Sequence, residues 1–347
     1  MCAATLGRRA FLRALAAMLC LLGVRGRVPL AATSPHRSKV IAVHDPQASK
    51  AGKGFDNADL DAQAVVGMVN RGVVAFTGAA DLEKAWRQII PDPGRRVAIK
   101  VNCQIQGVYT KAKVVQPIVN GLLLAGVPAD NILIYDMTDT AFALAGFRRN
   151  TGPGVKIGTV ADFGGYSRFL FHRLANLLTG GYRYSGLNLV SRIPGSPGGS
   201  CDCDYLINVP VLKALDGYCG VTLSMKNHYG SIANPGEHHD DIMAHIPLIN
   251  SLPQIRNKTR LIVLDAIFGQ YKWTNGRNQQ YVSRVNKVLV SDDPVALDTV
   301  GWGMIEALRK EHGAGPVSPA PVYIKRAAAL GLGVSDPAFI EQKEITL

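Results

Sequence analysis

The 347-residue sequence contains no dense run of lysine and arginine, so its formal charge of +12 is dispersed and nucleic acid is not indicated as a partner. It shows no internal repeat at short period, which excludes a solenoid. The HExxH pattern of a zinc-binding helix is missing, and so is the Cys-x-x-Cys-x-x-Cys spacing of a ferredoxin-type cluster. The apolar run at 14–24 is too short to cross a bilayer as a stable helix.

What that run does fit is an export signal. It follows a basic stretch containing Arg8, Arg9 and Arg13 and precedes the small residues Ala31 and Ala32. RRAFLR, at 8–13, has the twin-arginine pattern, so residues 1–32 are expected to be a twin-arginine signal peptide read by the twin-arginine translocase. No Ala-x-Ala pair follows the apolar run, and cleavage is expected after Ala31 or Ala32. The mature protein is then periplasmic or otherwise exported, with no stable membrane span. Cleavage removes Arg8, Arg9, Arg13, Arg25 and Arg27 and no acids, which lowers the charge of +12 by five, to +7. A moderately basic protein of this kind suits a small anionic ligand. Of six cysteines, Cys2 and Cys20 leave with the signal. Cys103, Cys201, Cys203 and Cys219 remain, an even number that reads as disulfides in an oxidising compartment.

Beta-branched runs at 39–45, 95–102, 131–136, 205–213 and 260–265 alternate with helical patterns at 58–71, 113–126, 294–310 and 320–330. This alternation predicts an α/β fold, a mostly parallel sheet flanked by helices. The Gly/Pro/Ser-rich stretch 191–204 reads as a loop between two intimately associated halves, an N-terminal α/β half at 39–190 and a C-terminal one at 204–335. The tail from Asp336 is too short to form an element alone.

The densest polar cluster, 212–241, directly follows an apolar strand, and ligands of open α/β sheets bind at the carboxyl ends of strands. Lys213 closes that strand. Lys226, Asn227 and His228 add a second cation, an amide and an imidazole, with Gly230 permitting close backbone approach. These residues suit a phosphate or carboxylate, with Lys226 and His228 as the catalytic pair. His228, His238 and His239 are candidate ligands of a divalent metal. Cys201-x-Cys203 with Cys219 offers thiolates to a metal or iron–sulfur cluster, against the alternative of disulfides. Lys100, Asn102 and Asp265 stand at other strand ends, where caps and turns compete with function as their explanation, as they do for Asp136. Asp293 reads as the N-cap of a helix on which Asp298 points inward.

Taken together, VAIKVN, ILIYD, DYLINVPVLK, LSMKNHYG, VLDAIFG and SDDPVALDTVG resemble the domain of unknown function 362 family over about residues 39–313. The resemblance marks Lys100, Asn102, Asp204, Pro210, Lys213, Lys226, Asn227, Gly230, Asp265, Asp293, Pro294 and Asp298 as a shared cofactor- or ligand-binding site. It implies no particular reaction. Family members often append a ferredoxin-like segment, and the departure from that cysteine spacing weighs against electron transfer. The sequence therefore leads to an exported enzyme acting on an anionic small molecule or cofactor. The alternatives are a periplasmic iron–sulfur or metal redox protein and a non-catalytic ligand-binding protein.

Overall fold

Apolar strands buried on both faces make the frame. The computed structural model describes residues 37–50, 52, 54–103, 108–163, 165–166, 203–232, 235–274 and 279–347. The expected signal at 1–32, Cys201 and nearly all of the 191–204 loop lie outside them. The strands are β1 (Ser38–His44), β2 (Val97–Lys100), β3 (Ile132–Asp136), β4 (Lys156–Thr159), β5 (Tyr205–Asn208), β6 (Val211–Leu215), β7 (Gly220–Thr222), β8 (Thr259–Gln270), β9 (Val282–Ser291) and β10 (Ile340–Thr346). They form one sheet in the order β10-β1-β9-β8-β5-β2-β3-β4, with β6 joined to β8 and β7 to β6. The run β4-β3-β2-β5-β8 is parallel throughout, and β9 is antiparallel to both β8 and β1. Every residue of β2, β3 and β5 is buried, as expected of parallel strands covered on both faces.

The helices are α1 (Ala62–Thr77), α2 (Leu82–Ile89), α3 (Ala112–Leu124), α4 (Phe142–Ala145), α5 (Ser224–Asn227), α6 (Ile242–Ser251), α7 (Pro253–Arg256), α8 (Pro294–Glu311) and α9 (Tyr323–Ala329). Alternate strand residues send their side chains to opposite faces. Ile41, Val263 and Val290 pack with α1, α2 and α3, whereas Val40, Leu264 and Leu289 pack with α6, α8 and α9. The fold is thus the expected α/β sandwich of helix, sheet and helix, and both predicted halves contribute strands to the one sheet. Helix α1 begins later than the 58–71 pattern suggests. The Asp61 carboxylate caps it by accepting from the Gln63 and Ala64 amides, and Gly78, at φ 69°, ends it. No described helix is long and apolar enough to cross a membrane.

Candidate functional site

The parallel register brings the last residue of β2, Lys100, beside Tyr135 of β3 and Asn208 of β5. Asp136, the next residue of β3, receives a 2.6 Å hydrogen bond from Lys100 Nζ. Its other oxygen accepts from the Cys103 amide at 2.5 Å. This ion pair is almost wholly buried, and its charges are closely compensated. Gly230 covers it: a Cβ there would stand 2.7 Å from Asp136 Oδ1 and 2.8 Å from Lys100 Nζ. The glycine predicted for close approach is required by that contact rather than by an unusual φ.

The segment from Ser224 to Ser231, a single helical turn (α5) followed by a 3-10 turn, lies over these strand ends. Asp298 on α8 anchors it, accepting from the Ser224 amide at 2.8 Å, the Ser224 hydroxyl at 2.5 Å and the Met225 amide at 3.3 Å. Burial pushes the Asp298 carboxyl up to about 7. Asn227 is thereby placed to join the ends of two strands, β2 and β5. Its Oδ1 accepts from Lys100 Nζ at 3.2 Å and Asn102 Nδ2 at 3.1 Å, and its Nδ2 donates to Asn208 Oδ1 at 2.7 Å. Asn102 Oδ1 in turn accepts from Lys213 Nζ at 2.9 Å.

Beside this network opens a cleft of about 360 Å³. Lys213, Lys226 and Asn102 give it a polar wall, and Tyr218, Tyr229 and Trp273 an aromatic one. Lys226 Nζ sits 3.6 Å from the centre of the Tyr229 ring and 3.4 Å from His239 Nε2. Among the described residues, neither the Lys213 nor the Lys226 amine has a carboxylate within ion-pairing distance. Burial pushes both down to about 8, and the Lys226 charge adds to the effect on Lys213. The His239 ring is held by Nδ1, 2.8 Å from the Pro235 carbonyl, and burial followed by the nearby Lys226 charge lowers its pKa. A neutral ring donating from Nδ1 leaves the Nε2 lone pair facing Lys226.

Lys100, Asn102, Asp136, Lys213, Lys226, Asn227, Gly230 and His239 therefore converge on one cleft, and among the described residues the other predicted ones do not line it. His228 is buried behind it, with Nδ1 3.2 Å from Ser231 Oγ, which lies 3.0 Å from the Tyr135 hydroxyl. Burial pushes this imidazole down to about 3, so it is a neutral ring of the interior. His238 packs edge-on against His245 with ring centres 5.0 Å apart. Asp204 stands at the opposite end of the sheet, just before the first paired residue of β5, and binds the Arg96 amide at 3.0 Å. Asp265 is not at a strand end: β8 continues through Ala266, Ile267 and Phe268, and Asp265 accepts from the Lys111 amide at 3.0 Å.

Cys103, Cys203 and Cys219 are not disulfide-linked to one another. They belong to three separate apolar clusters, and Cys219, pushed up to about 12 by burial, stays a thiol hydrogen-bonded to Val221. No three histidine, cysteine or acidic side chains come together as a metal-holding group among the described residues, so the expected sets of His228, His238 and His239 and of Cys203 and Cys219 are not assembled there. Conversely, Asn208, Tyr218, Tyr229 and Trp273 belong to the site but not to the residues expected from the sequence. Asn208 carried a usable signal, an amide at the end of the apolar run YLIN ahead of Pro210.

A family model described as "Domain of unknown function (DUF362)" matches residues 97–303. The match runs from the first residue of β2 into α8 and includes Lys100, Lys213, Lys226, Asn227 and Asp298. A search of curated proteins finds no match.

Proposed function

Since the chain belongs to the domain of unknown function 362 family, whose description assigns no chemistry, we propose its function from the cleft: an exported enzyme that binds a small anionic molecule on Lys213 and Lys226. One observation carries this reading. Two amines are held in the wall of one cleft without a carboxylate partner among the described residues, beside a third lysine that is fully ion-paired. Placing two uncompensated cations together is unfavourable unless something negative joins them. Amines with pKa near 8 also exchange protons readily at neutral pH, which suits acid–base work on the bound molecule. RRAFLR supports the export of this protein in folded form.

Titration calorimetry with a panel of small carboxylates and phosphates tests the reading. At least one anion is expected to bind with salt-dependent affinity, and Lys213→Met or Lys226→Met should weaken it roughly tenfold or more, the value of a charged hydrogen bond. Unchanged affinity in both variants would exclude the cleft as the anion site. Binding without turnover of any panel member would make the protein a carrier instead of an enzyme.

A further inference from the structure

The two cleft amines have different neighbours, and the difference assigns them different tasks. Lys213 Nζ donates to Asn102 Oδ1, an amide oxygen that cannot take up a proton. Its charge is held in place and remains available to a ligand carboxylate. Lys226 Nζ faces His239 Nε2, an imidazole nitrogen that can. The Pro235 carbonyl fixes the opposite ring nitrogen as the donor, so the basic lone pair is the one turned to the amine. The third lysine, Lys100, is committed to Asp136 and Asn227. An amine with a proton acceptor on one side and an aromatic face on the other, next to a second cation, is the environment in which lysine acts as a nucleophile toward carbonyl groups.

We propose that Lys226 condenses with the carbonyl group of a small oxo acid to form an imine, while Lys213 holds the acid's carboxylate. This rests on the anion reading of the same cleft and adds the substrate class. The step is balanced without any oxidant or reductant. His239 Nε2 takes a proton from the Lys226 ammonium, and the freed lone pair adds to the carbonyl carbon as the C=O π electrons move to oxygen. Two of the three ammonium protons end on that oxygen, carried in turn by His239. The C–O bond breaks, water departs, and a protonated imine remains on Nζ. Such a group withdraws electrons from the neighbouring carbon, so the reactions it serves are those that release a proton or carbon dioxide there.

Reductive trapping tests the proposal on the full chain. The protein is incubated separately with pyruvate, glyoxylate and 2-oxobutyrate, reduced with sodium borohydride, digested and mapped by mass spectrometry. Oxalate, which carries the anionic groups but no ketone or aldehyde, is titrated in parallel by calorimetry. The expected result is one stoichiometric adduct on Lys226 with at least one of the three acids. Lys226→Arg should abolish the adduct while still binding oxalate, which also shows that the variant is folded. His239→Gln should slow trapping and leave oxalate affinity close to that of the unaltered protein. Oxalate binding with no adduct from any of the three acids would overturn the imine and leave the anion site standing. An adduct confined to Lys213, or scattered over surface lysines, would overturn it as well. Absence of both oxalate binding and adduct would overturn the oxo-acid site altogether.

Discussion

Lys100 illustrates how a single charged side chain is kept inside this protein. Its amine has three oxygen partners, Asp136 Oδ1, Asn227 Oδ1 and the Val101 carbonyl, and it is only 1 % exposed. A buried ion pair of this kind contributes little to net stability, but removing one partner leaves an uncompensated charge. Lys100→Met alone is therefore expected to cost about 3–5 kcal/mol in urea denaturation, and Lys100→Met with Asp136→Leu much less, because neither charge remains. Equal losses in the single and double variants would refute the compensation argument. At this scale the sequence disclosed the types but not the pairings. Lys100 and Asn102 lie two residues apart in IKVN, and both reach the same network. Asp136 read equally well as a turn residue. His228 looked as well placed as His239, because nothing in the order HYGSIANPGEHH tells which ring faces the cleft and which the interior.

Among the elements, α5 is a short helix that carries site residues and cannot hold itself. Four residues are too few for a helix to be stable on its own, so its position depends on what is attached to it. Asp298 supplies the attachment, accepting at once from the Ser224 amide, the Met225 amide and the Tyr323 hydroxyl. Its carboxyl is raised from 3.8 to about 7 by burial, so between those values the folded chain holds a proton that the unfolded chain releases. The sign follows from linkage: the stability due to this group is fully present below 3.8 and is lost as pH rises through about 7. The difference in unfolding free energy between the unaltered protein and Asp298→Asn should accordingly fall across that window, by at most about 1.4 kcal/mol per pH unit, and level off above it. Parallel denaturation series at several pH values check this, and a pH-independent difference would mean that the group titrates normally. The helix bearing Asp298 was well marked in advance, because Asp293 and Pro294 announce its start. The strand expected at 205–213 was less so. It divides into β5 and β6 at Pro210, which lacks an amide for the ladder and instead offers its carbonyl to the Asp265 amide at 2.9 Å.

Over the whole molecule, the first and last described strands meet at one edge of the sheet. Strand β1 lies between β9 and β10, with seven residue pairs joining it in parallel to β10. Neither β9 nor β10 stood out in the sequence. VSRVNKVLVS is interrupted by Arg284, Asn286 and Lys287, and IEQKEIT has only two strongly apolar residues. Each becomes a strand because a distant strand provides its hydrogen-bond partners, a source of β structure that local pattern does not record. The central strands were legible because burial on both faces leaves continuous apolar runs. The charged β10 also has a protective role: its exposed Glu341, Lys343 and Glu344 present charge at the sheet edge, whereas β1 beneath it is largely apolar. Ending the chain after Phe339 should thus have two effects. Stability should fall by a few kcal/mol, at about 1 kcal/mol for each net hydrogen bond lost, and the uncovered edge of β1 should promote self-association. Urea midpoints and size-exclusion profiles of the truncated and full chains measure both. A truncated protein with an unchanged midpoint and an unchanged elution volume would show that β10 neither stabilises nor shields the sheet.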